Sequence, residues 1–136
     1  MTKPSKILPR SVKLYLTLLI ISTGLIIYGT LFPTNYDIPH GIIGIDKLVH
    51  LVMFATWSFF YGLVRFMKDK YKLLPIFVVS TFFGLMIEVF QYFLPTGRSA
   101  ELMDVIADVT GTGIALVLLY LLSKKIPEFQ ARPSSE

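Results

Sequence analysis

Four apolar runs, at about 14–32, 47–66, 74–94 and 104–122, dominate this 136-residue chain and restrict its folds more than any other feature. A helix rises about 1.5 Å per residue, so each run is long enough to cross a bilayer core of roughly 30 Å. The lipid interior offers no water to the backbone, and only helices or closed barrels satisfy every N–H and C=O there. The runs are continuous rather than alternating, which selects helices. The expected fold is therefore all-α, with residues 1–136 forming a single transmembrane domain. Its four transmembrane helices form a membrane-embedded bundle, and residues 126–136 form a short polar tail. A hydrophobic share of 54% excludes an ordinary soluble domain of this size. The chain has no cysteine, so a metal would have to rely on histidine and carboxylates. The first run exceeds the roughly 7 to 15 residues of a signal-peptide core, and no small-residue cleavage site follows it, so it reads as a retained anchor.

Lys and Arg set the orientation. Eleven of the 13 basic residues fall before the first run, around the second connection, or after the last run, leaving only Lys47 and Arg98 on the opposite side. Positive charge favours the cytoplasmic face, so both termini are expected inside. On this reading the net charge of +4 is a topology signal. The basic residues form no continuous face, and no nucleic-acid partner is expected.

Acids follow the reverse distribution. Asp37, Asp46, Glu88, Glu101, Asp104 and Asp108 all lie in or near the extracytoplasmic half. A charged side chain within a span costs roughly 2.5 to 3.5 kcal/mol on insertion scales, and such groups usually mark paired networks or functional sites. Spacing gives each pair a common helix face: Asp46 with His50 at i,i+4, Glu88 with Gln91 at i,i+3, and Asp104 with Asp108 at i,i+4. The alternating direction of the spans brings the three pairs to one membrane level. Small residues share these faces, Ser80 and Gly84 before Glu88, and Ala107, Gly111 and Ala115 in the last run. Such rows allow close helix approach and turn the polar groups toward the interior. A polar pocket open to the outside is expected. The segment 33–46, rich in turn residues, is a candidate lid, and Ser99 is a candidate N-cap for the fourth helix.

The order Asp46-Lys47-x-x-His50-x-x-x-Phe54, Gly84-x-x-x-Glu88-x-x-Gln91, Pro95-x-Gly97-Arg98, then Asp104 and Gly111, resembles the VanZ-like family of small bacterial membrane proteins. The likeness runs from Asp46 to Gly113. It implies a role in the cell envelope, because the name-giving member is associated with tolerance to glycopeptide antibiotics, but it implies no reaction. Where the family pattern commonly has asparagine, this chain has Asp108; if that position supplies an amide donor in relatives, the hydrogen bonding here must differ, or Asp108 must be protonated or paired with a cation.

Three kinds of function fit these residues. The first is a non-enzymatic envelope factor whose pocket binds a lipid head group, a lipid-linked wall precursor or an amphipathic antibiotic. Its candidate ligand-binding residues are Asp46, Lys47, His50, Glu88, Gln91, Arg98, Asp104 and Asp108, with Lys47 and Arg98 attracting an anionic part. The second is an intramembrane enzyme with His50 and Glu88 as acid and base, or with His50, Glu88 and Asp104 around a metal. One histidine among scattered carboxylates is a weak metal signature, no nucleophile motif is present, and no metal or cofactor is expected. The third is a structural or assembly subunit whose polar layer fixes helix register. Each polar residue admits that structural reading, with Asp46 and Lys47 at a helix start and His50 hydrogen-bonded to Glu88 or Asp104. Phe59, Phe60, Tyr61, Phe82, Phe83 and Phe93 read as lipid-facing or packing residues.

Overall fold

A computed structural model of the chain describes residues 11–32, 43–95 and 100–126. They form four helices, α1 (Val12–Leu31), α2 (Ile43–Met67), α3 (Leu74–Phe93) and α4 (Leu102–Lys125), with no strand among the described residues. All four are long and apolar enough to cross a membrane. The expected spans are thus present, and α2 and α4 extend beyond their apolar runs. In α2 the extension includes Asp46 and Lys47 in helix, with Asp46 in the first turn, where its charge favours the helix dipole. The later part of the expected loop 33–46 is therefore helical, and its remainder, 33–42, lies outside the described residues.

Local chemistry accounts for several helix ends. The Ser11 hydroxyl accepts the Leu14 N–H and caps α1. At the start of α3, Pro75 occupies an early position where a missing N–H is harmless. Lys124 and Lys125 close α4 against the negative end of its dipole. Between α2 and α3, Asp69 adopts a φ of 57°, a left-handed turn that Asp tolerates better than most residues.

Small residues set the packing. Helix α2 makes its most extensive contact with α4 and also touches α1 and α3. At Gly111 the backbone of α2 comes so close that a methyl group would meet the Leu51 carbonyl and Ala55 N. Gly62 allows Leu119 to lie on α2 in the same way. Ser80, Gly84, Ala107 and Ala115 are buried, as their spacing predicted. By contrast, Leu25, Tyr28, Phe82, Phe93 and Leu102 point outward, the lipid-facing surface of a membrane protein.

Two apolar clusters hold the helices. Tyr15, Leu63, Phe66, Ile76 and Leu119 fill the end near the α2–α3 turn. Ile26, Phe54, Trp57 and Ile87 lie toward the other end, with Phe83 against both Phe54 and Trp57. Between the helices, Ser58 donates to Ser80 at 2.9 Å and lies 3.1 Å from the Thr112 hydroxyl. This buried trio joins α2, α3 and α4. The Trp57 indole N–H donates to the Thr23 hydroxyl at 2.8 Å and joins α2 to α1.

Candidate functional site

Beyond Phe54, the interior of α2, α3 and α4 becomes polar. His50, Glu88, Gln91, Asp104 and Asp108 are all buried, at 7% exposure or less. The faces inferred from i,i+3 and i,i+4 spacing do meet. Glycine makes room for this, because Gly84 on α3 faces the Asp108 carboxylate and Phe54, leaving no space for a larger side chain.

At the centre, His50 Nδ1 lies 3.0 Å from Asp108 Oδ1. An imidazole N–H donating to a carboxylate supplies the partner that an aspartate at position 108 requires. His50 Nε2 is 4.0 Å from Asp104 Oδ2, an electrostatic neighbour rather than a hydrogen-bond partner. The expectation that His50 bonds to Glu88 or Asp104 thus gives way to Asp108, which lies one helical turn deeper along α4 than Asp104.

Glu88 has a different partner. Its Oε2 accepts the backbone N–H of Glu101 at 2.9 Å, satisfying a donor at the start of α4. Glu101 is the N-cap residue of that helix and has no side-chain cap bond; Ser99, the expected N-cap, lies outside the described residues. The Glu101 side chain instead turns to Lys47, whose Nζ donates to Glu101 Oε2 at 2.8 Å and to Asp104 Oδ1 at 3.3 Å. Lys47 is thereby engaged by two carboxylates of α4, rather than held out toward an anion. This pairing forms the rim of the layer: the Glu101 side chain is 48% exposed and that of Lys47 25%, against 5% for Asp104.

Gln91 is buried at the same level but faces α1, where its Nε2 donates to the Thr30 carbonyl at 3.0 Å. Asp46 is half-buried one turn before His50. Arg98 lies outside the described residues. Glu101, absent from the candidate ligand-binding residues, belongs to the layer. Of the hydroxyl trio, Ser80 was singled out from the sequence only as a small residue and Ser58 and Thr112 not at all, because single hydroxyls in apolar runs give little signal.

Four buried side-chain atoms at this level have no hydrogen-bond partner: His50 Nε2, Glu88 Oε1, Gln91 Oε1 and Asp108 Oδ2. Among the described residues the layer holds five carboxylates, from Asp46, Glu88, Glu101, Asp104 and Asp108, and one lysine. It is a strongly acidic centre reached through a partly exposed rim. Such an arrangement can bind a cationic group, accept a proton at His50 Nε2, or hold a metal ion.

Comparison with known proteins agrees with the motif order. Residues 10–123 match the VanZ/LLP1 family, and the chain belongs to that family. No curated protein and no solved structure matches it.

Proposed function

We propose that this VanZ/LLP1 family member is a multi-pass protein of the bacterial cytoplasmic membrane, with both termini inside, that binds an amphiphile through its head group. The site is the polar layer of α2, α3 and α4 on the extracytoplasmic side. Candidate amphiphiles are a membrane lipid, a lipid-linked wall precursor and an amphipathic antibiotic, the last linking the site to antibiotic tolerance. The bias of Lys and Arg toward the opposite side supports the orientation. The reading is of a binder, not an enzyme.

One observation carries this reading: a continuous polar path runs from the half-exposed Glu101 and Lys47 to the buried Asp104, His50 and Asp108. A network serving only to fix helix register has no need of an exposed mouth. With Lys47 already paired, the charge of the described layer favours an amine-bearing head group or the amino group of a cationic amphiphile.

The test is complementation of a strain lacking the protein, challenged with wall-directed and membrane-directed antibiotics. Glu88→Gln, His50→Ala and Asp104→Asn should lose the wild-type effect while accumulating in the membrane. Wild-type phenotype and stability in all three would defeat the reading.

A second reading, an intramembrane acid–base enzyme acting on a lipid-linked substrate, is favoured by one feature. With Nδ1 directed at Asp108, His50 leaves Nε2 without a hydrogen-bond partner, the orientation a general base requires. Release of a water-soluble product from lipid extracts by the wild type, and its loss in Asp108→Asn, would establish that reading over the first.

A further inference from the structure

We infer that His50, Glu88 and Asp108 form a binding site for a divalent first-row cation, with Zn²⁺ or Mn²⁺ as the fitting class. The inference concerns the same layer as the proposed head-group site but does not depend on which amphiphile binds there.

Convergence is the first argument. Each of the three side chains offers a ligand atom within 4.8 Å of those of the other two, and all three residues are buried. They come from α2, α3 and α4, so the chain spacing carries no metal signature although the fold assembles one. Asp46 and Asp104 form a second group of the same kind around His50, which places further carboxylates beside the first. Donors on one zinc have bonds of about 2.0–2.2 Å, so an ion held by all three residues requires the side chains to draw inward and the His50–Asp108 hydrogen bond to open.

Unsatisfied chemistry is the second argument. His50 Nε2, Glu88 Oε1 and Asp108 Oδ2 are buried without a hydrogen-bond partner, one atom on each member of the group. A buried polar atom without a partner is costly, and each member of the group carries one. Charge names its sign. Lys47 is engaged by Glu101 and Asp104, Glu88 accepts only a backbone N–H and Asp108 is paired with His50, so among the described residues no lysine or arginine pairs with either carboxylate. A divalent cation balances two carboxylates and uses the imidazole as a neutral ligand. Mixed nitrogen and oxygen donors in a dry site suit Zn²⁺ or Mn²⁺ better than Mg²⁺, which retains several waters, or Ca²⁺, which takes oxygen donors.

The full chain, purified in mild detergent, stripped with EDTA, reloaded with Zn²⁺ or Mn²⁺ and desalted, should retain about one ion per chain by elemental analysis. Glu88→Gln with Asp108→Asn should reduce retention at least tenfold, while Asp69→Asn, in the α2–α3 turn, should leave it unchanged. In the wild type, Zn²⁺ or Mn²⁺ should raise the unfolding temperature and EDTA should reverse the rise, a readout that holds even if the double variant fails to fold. Retention below about 0.1 ion per chain with no thermal shift, or equal retention in a folded double variant, overturns the inference. Copurifying lipid measured on the same samples separates the two proposals. Metal without lipid leaves this site standing and defeats the head-group reading, and lipid without metal does the reverse.

Discussion

His50 on α2 and Asp108 on α4 meet at 3.0 Å with both side chains 1% exposed, an interhelical pair at the buried end of the polar layer. Gly111, three residues further along α4, lets the two helices approach closely enough for the pair to form. The polar centre and the small-residue seam are thus one construction.

Coupling across that pair is the first expectation. Asp108→Asn retains an oxygen that can accept the His50 N–H and should fold close to wild type. Asp108→Ala strands a buried imidazole and should lose about 1–3 kcal/mol of stability. His50→Ala combined with Asp108→Ala should lose less than the sum of the single variants, by about 0.5–3 kcal/mol in a double-mutant cycle. Additive losses would show that the two side chains do not interact.

The seam predicts a sharp difference between two glycines of one helix. At Gly111 an added methyl meets α2 backbone, whereas at Gly113 it meets nothing within 4 Å. Gly111→Ala should destabilise by about 1–3 kcal/mol through overpacking, and Gly113→Ala should leave the unfolding temperature unchanged or slightly higher. Thermal unfolding in detergent checks both, and equal behaviour would contradict the close approach of α2 and α4.

Lys47 should behave as an ion-pair partner of α4. Lys47→Met leaves the buried Asp104 carboxylate without its cation and should lower stability, whereas Lys47→Met with Asp104→Asn should recover much of the loss. Unfolding of the single and double variants decides this. No recovery in the double variant would argue against the pairing.

How much of this was legible in the chain differs by level. Hydropathy alone located four helices to within a few residues, because twenty apolar residues in lipid have few alternatives. Spacing also brought Asp46, His50, Glu88, Asp104 and Asp108 to one level, since i,i+4 pairs and the alternating direction of the spans fix face and depth. Partner choice was not legible. Whether His50 bonds to Glu88, Asp104 or Asp108 depends on how far each helix rotates about its axis, and a difference of one turn selects Asp108. Lys47 was read as a cation offered to a ligand, because nothing in the sequence shows Glu101 and Asp104 arriving beside it. Glu101 gave no sign of reaching across to α2, and the role of its backbone N–H toward Glu88 depends on tertiary geometry.

Topology is directly open to labelling because the chain has no native cysteine. Single cysteines introduced at Thr34 and Ser99 should react with a membrane-impermeant thiol reagent added to intact cells, and one at Lys70 should react only after permeabilisation. The reverse pattern would invert the assigned orientation and place the polar layer on the cytoplasmic side.

The central claim is that the acidic layer holds an amphiphile, and native mass spectrometry of the intact protein ejected from mild detergent tests it most directly. Wild type and a variant altered on the lipid-facing side of α3, Val78→Ala, should carry the same bound amphiphile, and Glu88→Gln should lose it by at least tenfold at equal folding. An identical complement of bound species in wild type and Glu88→Gln, or none in either, would contradict the account.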